Sequence, residues 1–385
     1  MALIWHLAVV TNSALIMSLA SIAGMLPMAV LGSVAGAYVD RWNRKKTMIY
    51  ADLYIAMVSL VLVIYTLFAD LPIWAVMAVL FFRSIGSSFH TPAISAVTPL
   101  IVPETHLTKC SGYTQTVQTI GYIAGTALAA ILYPLWGVSG MVLLDVAGAI
   151  LASVAVLIVK IPSPPKKDPD LPSPITAGLF RGVMEGYKII RKNRGIFAIL
   201  WTGTIVSILF SPVSALFPLM SMDYFGGTTT EASVVEAVFA VGMLVGGIVL
   251  GMWGGFKNRG ITLSTSVAII GLTIGLSGIL PVTGFVFFAV FSFVMDLAAP
   301  FYSGIQTALM QERIQPEYLG RVFGLYGSLL SFAMLIGFVI TGAFAEMIGN
   351  PMWFLLSGIG ILSLAMLMFF LPDIRKIDIK QQKME

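Results

Sequence analysis

Few residues of this chain can carry ionic chemistry, 22 Lys and Arg against 18 Asp and Glu in 385 positions, and most of them are clustered. The densest block runs from Gly32 to Lys46, GSVAGAYVDRWNRKK, where an apolar stretch ends in Asp40 followed by Arg41, Arg44, Lys45 and Lys46. Gly32 and Gly36 are four residues apart, so on a helix they share one face and let a neighbouring backbone approach closely. Asp40 lies one turn further along that face. Two other charges, Arg83 and Asp296, stand alone within long apolar runs. If those runs cross a bilayer, each charge costs about 2.5 to 3.5 kcal/mol on insertion scales, so neither is expected to face lipid. A carboxylic acid whose surroundings change polarity takes up and releases a proton, which makes Asp296 a candidate for proton exchange or for receiving a cationic amine. Asp145 and Glu236, each about 8 Å inside a helix end by helical rise, are further carboxylate candidates. Hydrolytic chemistry is excluded by motif: there is no G-x-x-x-x-G-K-S/T, no H-E-x-x-H and no G-x-S-x-G. One cysteine, Cys110, forms no internal disulfide, and three scattered histidines offer no metal-ligand spacing; no cofactor motif is present.

The elements that position these residues are set by composition. At 58% hydrophobic and 10% charged, against roughly 25% charged in soluble domains, the chain reads as an all-α, polytopic membrane protein. Eleven segments are long enough to span, approximately 14–39, 48–68, 73–97, 108–135, 141–159, 195–220, 232–256, 261–281, 284–309, 319–345 and 352–371. Residues 1–10 are apolar but reach only about 15 Å at the helical rise, half the hydrocarbon thickness. They read as the second half of a first helix truncated at its N-terminus, through a late start codon or a shortened gene, which makes the expected total twelve. Of the Lys and Arg residues, all but Arg83 lie in or beside alternate connections, whereas 69–72, 136–140, 221–230, 282–283 and 346–351 contain none. This asymmetry predicts a multi-pass plasma membrane protein whose basic loops and C-terminus are cytoplasmic. The net charge of +4 is thereby assigned to topology, not to nucleic acid.

Four regions follow: an N-terminal bundle over 1–160, a cytoplasmic linker over 161–194, a C-terminal bundle over 195–372 and a tail over 373–385. The linker opens with IPSPPKKDPDLPSP, expected to be extended and solvated, and continues as an amphipathic segment over 175–194. That segment is expected to lie on the membrane surface or to serve as a solvated linker helix. The two bundles repeat one another. Adding 215 carries Gly32 to Gly247, Gly36 to Gly251 and Arg44 to Arg259, with Gly255 in place of Asp40. A shift of 213 carries Pro103-Glu104 onto Pro316-Glu317, each followed by a Leu and then Lys109 or Arg321, and carries Arg83 onto Asp296.

The Gly32–Lys46 block resembles motif A of the major facilitator superfamily, G-x-x-x-D-R-x-G-R-R/K, with Asn43 at the place of the turn glycine, where Asn tolerates the left-handed conformation. FFRSIGSSFHTPAISAVTPLIVPETHLTKCSGY, LFPLMSMDYF and PFYSGIQTALMQERIQPEYLGRVF are similar to the bacterial macrolide-efflux members of its drug:proton antiporter group. The resemblance implies two six-helix halves in parallel pseudo-twofold repeat and a binding site near the bilayer midplane. It also implies export of bulky, amphiphilic, weakly basic drugs in exchange for protons. Under it, Asp40 meets the N-terminus of the helix beginning near Leu319, Arg41 and Arg44 position it, and Asp52 balances those arginines. Arg83 and Asp296 would face each other across the cavity. Phe210, Phe217, Phe291 and Tyr302, together with Phe287 and Phe288, are candidates for its apolar lining. The alternatives are an exporter of another hydrophobic metabolite or siderophore, a channel or scramblase, and a non-transporting remnant. The residues leave an ATP-binding partner protein open.

Overall fold

The computed structural model describes residues 3, 6, 7, 14–69, 71–162, 179–227, 229–375 and 377. Most of the opening stretch, the Pro-rich part of the linker and the last residues therefore lie outside the described residues. Every long element is a helix: α1 (Ala14–Val39), α2 (Arg44–Thr66), α3 (Ile73–Ile101), α4 (Leu107–Ile158), α5 (Leu179–Lys192), α6 (Arg194–Leu219), α7 (Thr229–Trp253), α8 (Arg259–Gly278), α9 (Phe285–Arg313), α10 (Leu319–Ile348), α11 (Asn350–Phe370) and the short α12 (Pro372–Arg375). Among the described residues, ten helical stretches are long and apolar enough to cross a membrane. The 108–135 segment is not among them; its first turns carry Thr108, Lys109, Gln115 and Gln118. It continues into 141–158 as one element broken at Gly137, whose φ of 61° and ψ of −169° end one helix and start the next.

The chain forms two compact units. Unit 1 holds residues 1–103, 122–190 and 314–332, and unit 2 holds 104–121, 191–313 and 333–385. Each unit thus takes in a short stretch from the opposite half of the sequence. In unit 1, α3 packs along α1 and α2. Leu3 and Leu7 of the opening stretch join Leu62, Val63, Val76, Val79 and Val142 in its core. In unit 2, α8 lies on α11 and α9 on α7. Small residues set these distances: a Cβ on Gly358 would lie 2.2 Å from the backbone N of Gly275, and one on Gly246 would lie 2.3 Å from the carbonyl of Leu297. Such crossings replace the hydrophobic drive that lipid does not supply.

The sequence repeat reappears as repeated local structure. Pro316–Tyr318 and Glu104–His106 are 3₁₀ turns, leading into α10 and α4 through the fully buried Leu319 and Leu107. Asn43 and Asn258, 215 residues apart, both cap the helix that follows, accepting from Lys46 N at 3.1 Å and Ile261 N at 3.2 Å. Asn43 corrects the expectation of a left-handed turn: its φ of −67° and ψ of 109° are extended, as an N-cap requires. The amphipathic segment forms α5, and it docks on unit 1: Gly186 and Ile190 are buried, and Glu185 takes a hydrogen bond from Arg321. Past α11 the chain also packs, with Ile374 and Ile377 buried and Arg313 donating to the Ile377 carbonyl.

Candidate functional site

The block around Asp40 lies in unit 1, where α1 runs antiparallel to the first turns of α10. Gly36 faces Gly320 and Gly32 faces Gly324: a Cβ on Gly36 would sit 2.0 Å from the Gly320 carbonyl oxygen, and one on Gly324 would sit 2.2 Å from that of Gly32. One turn further along, Ser328 accepts a hydrogen bond from Ser33 N at 2.9 Å and donates to the Met28 carbonyl at 3.3 Å. The spacing Gly320, Gly324, Ser328 is the small-residue stripe complementary to Gly32 and Gly36, and it was there to be read.

This close approach delivers Asp40 to the start of α10. The first amides of a helix have no partner within it, and the dipole makes that end attractive to an anion. Asp40 supplies both: Oδ1 accepts from Gly320 N at 2.6 Å and Oδ2 from Arg321 N at 3.0 Å. Asp40 is 3% exposed, with the Arg321 Nε 3.5 Å away and an Arg44 Nη 3.8 Å away. Burial raises the Asp40 carboxyl to about 7, against the opposing pull of the Arg321 and Gly320 amides and then of the two guanidinium groups. The contact therefore changes charge near neutral pH. Arg44, 1% exposed, donates to the carbonyls of Ala96 at 3.3 Å and of Pro316, so it ties α3 and the turn before α10 to the start of α2. Lys45 caps the end of α4 through the carbonyls of Leu157 and Val159 at 2.7 and 2.8 Å. Arg41 is half-buried beside them. Arg321 links a second acid, Glu185 of α5, which sequence reasoning did not connect with Asp40.

The second copy of the block lies in unit 2, where α7 meets the first turns of α4. A Cβ on Gly112 would be 2.4 Å from Gly251 N, and one on Gly247 would be 2.7 Å from Thr116 Oγ. The glycine crossing is thus kept, but the acid is not. Gly255 has a φ of 88° and Gly254 a φ of 82°, so the chain turns away from α7 where Asp40 N still bonds the Gly36 carbonyl at 3.2 Å. Arg259 pairs with Glu312 at 2.6 and 2.5 Å in this unit.

Within the apolar runs, Arg83 has its own partners in unit 1, Ser59 of α2 and Asp145 of α4. With Met25, Met28, Ser84, Ser87 and Thr91 it lines a cavity of about 360 Å³. A second pair in this unit, Asp52 and His90, stands at 3.5 Å. Asp296 belongs to unit 2 and is 3% exposed on α9; its Oδ2 has no hydrogen-bond partner among the described residues. Gly242 of α7 makes room for it, since a Cβ there would lie 3.3 Å from that of Asp296. Glu236 is exposed on α7. Phe217 packs among Phe239 and Phe288, with ring centroids 6.0 and 5.3 Å away, in the aromatic core of unit 2. Phe288 is fully buried, Phe287 is exposed, and Phe210, Phe291 and Tyr302 are half-buried.

A family model described as the Major Facilitator Superfamily matches residues 1–226 and 203–384. Macrolide efflux protein A of Streptococcus pyogenes is 48% identical over 380 residues, covering 99% of this chain and 93% of that protein. Macrolide efflux protein A of Enterococcus faecalis is 50% identical over 326 residues, covering 85% and 99%. Among solved structures, the human organic anion transporter MFSD10 (TETRAN) superposes with a TM-score of 0.76 at 16% identity, covering 91% of this chain and 82% of that one; this likeness concerns the fold.

Proposed function

Since the chain belongs to the Major Facilitator Superfamily and is a membrane transporter, not an enzyme, we propose that it exports macrolide-like, bulky amphiphilic drugs by proton antiport with alternating access. The observation that carries this reading is the 48% identity, sustained over 99% of the chain, to Macrolide efflux protein A. The geometry supplies parts for such a cycle. Asp40 and the first amides of α10 form a latch that is made and released, with Gly32 and Gly36 allowing the contact and Arg41, Arg44 and Lys45 holding the surrounding helix ends. Asp296 is the acid that carries the exchanged proton or meets the drug amine, being buried with one oxygen unpaired among the described residues. Asp145 holds Arg83 at the unit 1 cavity. In this reading the C-terminus and the basic connections are cytoplasmic in a bacterial plasma membrane.

A substrate panel in a pump-deficient bacterium, run with and without an uncoupler, tests it. The expected result is reduced macrolide accumulation that the uncoupler reverses and that Asp296→Asn abolishes. Macrolide susceptibility equal to that of cells without the protein would overturn the substrate class, and uncoupler-insensitive export would overturn proton coupling.

A further inference from the structure

The α2–α3 interface of unit 1 carries three polar rungs in one antiparallel register. Arg44 donates to the Ala96 carbonyl, Asp52 stands 3.5 Å from His90, and Ser59 accepts from Arg83. Successive rungs are eight and seven residues apart on α2 and six and seven apart on α3, about two helical turns each, so all three lie on one seam. Gly86 lies between the second and third rungs, where a Cβ would fall 2.6 Å from Ile55, so the helices touch there and the polar side chains meet on either side.

The outer rungs hold guanidinium groups, which keep their charge at any physiological pH. The middle rung is different. A carboxylate and an imidazole together can change their net charge by one near neutrality, since the imidazole Nε2 takes a proton and donates it towards Asp52 Oδ1. The side chains of Asp52 and His90 are 15% and 27% exposed, so the pair is sheltered without being sealed. The charged groups around it are Arg44 and Arg83, each about two turns away along the seam, with Asp145 of α4 engaged by Arg83. Tyr50 and Tyr54 accompany Asp52 on α2, and α1 contributes no acid, base or histidine, only Tyr38 near its end. Two fixed cations favour a pair that rests as carboxylate and neutral imidazole, ready to accept a proton. Arg44, on the same face of α2, also holds the Pro316 carbonyl and stands 3.8 Å from Asp40.

We propose that Asp52 and His90 are a proton-binding site of this transporter, loaded and emptied in each cycle and felt at the Asp40 latch through Arg44. The inference rests on the antiport reading above. It is tested with the full chain in proteoliposomes and erythromycin, a macrolide, as the probe. Accumulation under an imposed pH gradient and counterflow without a gradient are read side by side. A one-unit gradient sustains at most about tenfold accumulation per proton exchanged. Wild type should show gradient-driven accumulation, whereas Asp52→Asn and His90→Gln should lose it and keep counterflow.

If either variant loses counterflow as well, 15N-histidine NMR of the protein in micelles decides. The His90 signal, identified by its disappearance in His90→Gln, should titrate between about pH 5 and 8, with a midpoint about half a unit or more lower in Asp52→Asn. Unchanged gradient-driven accumulation in both variants, or a His90 midpoint indifferent to Asp52→Asn, overturns the assignment. A wild type that counterflows but ignores the gradient overturns the antiport reading itself, and the site falls with it.

Discussion

The α1–α10 crossing of unit 1 and the α7–α4 crossing of unit 2 are two copies of one device, and they differ in a single feature. Both bring two helices together through glycines four residues apart, and both are followed by an Asn-capped helix that opens with an arginine. Only the first puts an acid on the partner helix, with Asp40 on the amides of Gly320 and Arg321. In the second, Gly254 and Gly255 are left-handed and lead the chain off α7 before that point is reached. The glycine crossing therefore serves packing, and the acid adds a contact that depends on charge. A packing contact has one state; a carboxylate raised to about 7 has two.

The comparison is broken most severely at its glycines. In Gly36→Ala the new Cβ meets a backbone carbonyl at 2.0 Å, whereas in Gly251→Ala it meets the Tyr113 ring at 2.9 Å, and the ring can move. The first should destabilise the protein by about 3 kcal/mol and the second by about 1, as thermal melting of the purified variants would show. Next comes the acid itself. Hydrogen bonds to a charged group are worth about 1.5 to 3 kcal/mol, so Asp40→Asn should slow drug export by about tenfold or more while leaving insertion intact. Wild-type export at equal expression would refute the latch.

The arginines sharpen the contrast. Arg44→Lys cannot fork to the Ala96 and Pro316 carbonyls and should cost about 2 kcal/mol, while Arg259→Lys, which keeps a charge beside Glu312, should cost less than about 1. A pH series isolates the carboxyl. Because the folded value lies above the ordinary value of 3.8, the native protein binds more protons than the unfolded chain between about 4 and 7. Wild-type stability should therefore fall relative to Asp40→Asn across that window, by at most about 1.4 kcal/mol per pH unit, and run parallel to it above 7. A stability difference that rises with pH would contradict this. The smallest effect is expected from Gly255→Asp. Its φ of 88° imposes strain of about 1 kcal/mol or more, and the acid should not restore export to Asp40→Asn.

Much of this was legible in the sequence because membrane helices announce themselves through apolar length and charge placement. The repeats at 215 and 213 located both crossings, the two 3₁₀ turns and the two capping asparagines. What stayed hidden was pairing across helices. Arg83 was read against Asp296 by repeat equivalence, yet within unit 1 it is Asp145 and Ser59 that hold it. Nothing in the spacing of Glu185 pointed to Arg321, because α5 is tied to α10 by tertiary docking alone. Phe217 looked like cavity lining because an aromatic in an apolar run carries no sign of which way it faces; it packs against Phe239 and Phe288. Asn43 was read as a turn residue when its side chain was needed as a cap.

The claim that matters most is that Asp40 holds the first amides of α10, and hydrogen–deuterium exchange reads those amides directly. At pH above 7, Asp40→Asn should speed exchange at Gly320 and Arg321 by about tenfold, since a charged hydrogen bond of about 1.5 kcal/mol or more is lost. The Ile261 amide, held by Asn258 in unit 2, should exchange as in wild type. Equal exchange at Gly320 and Arg321 in the two proteins would mean that the carboxylate does not secure that helix end.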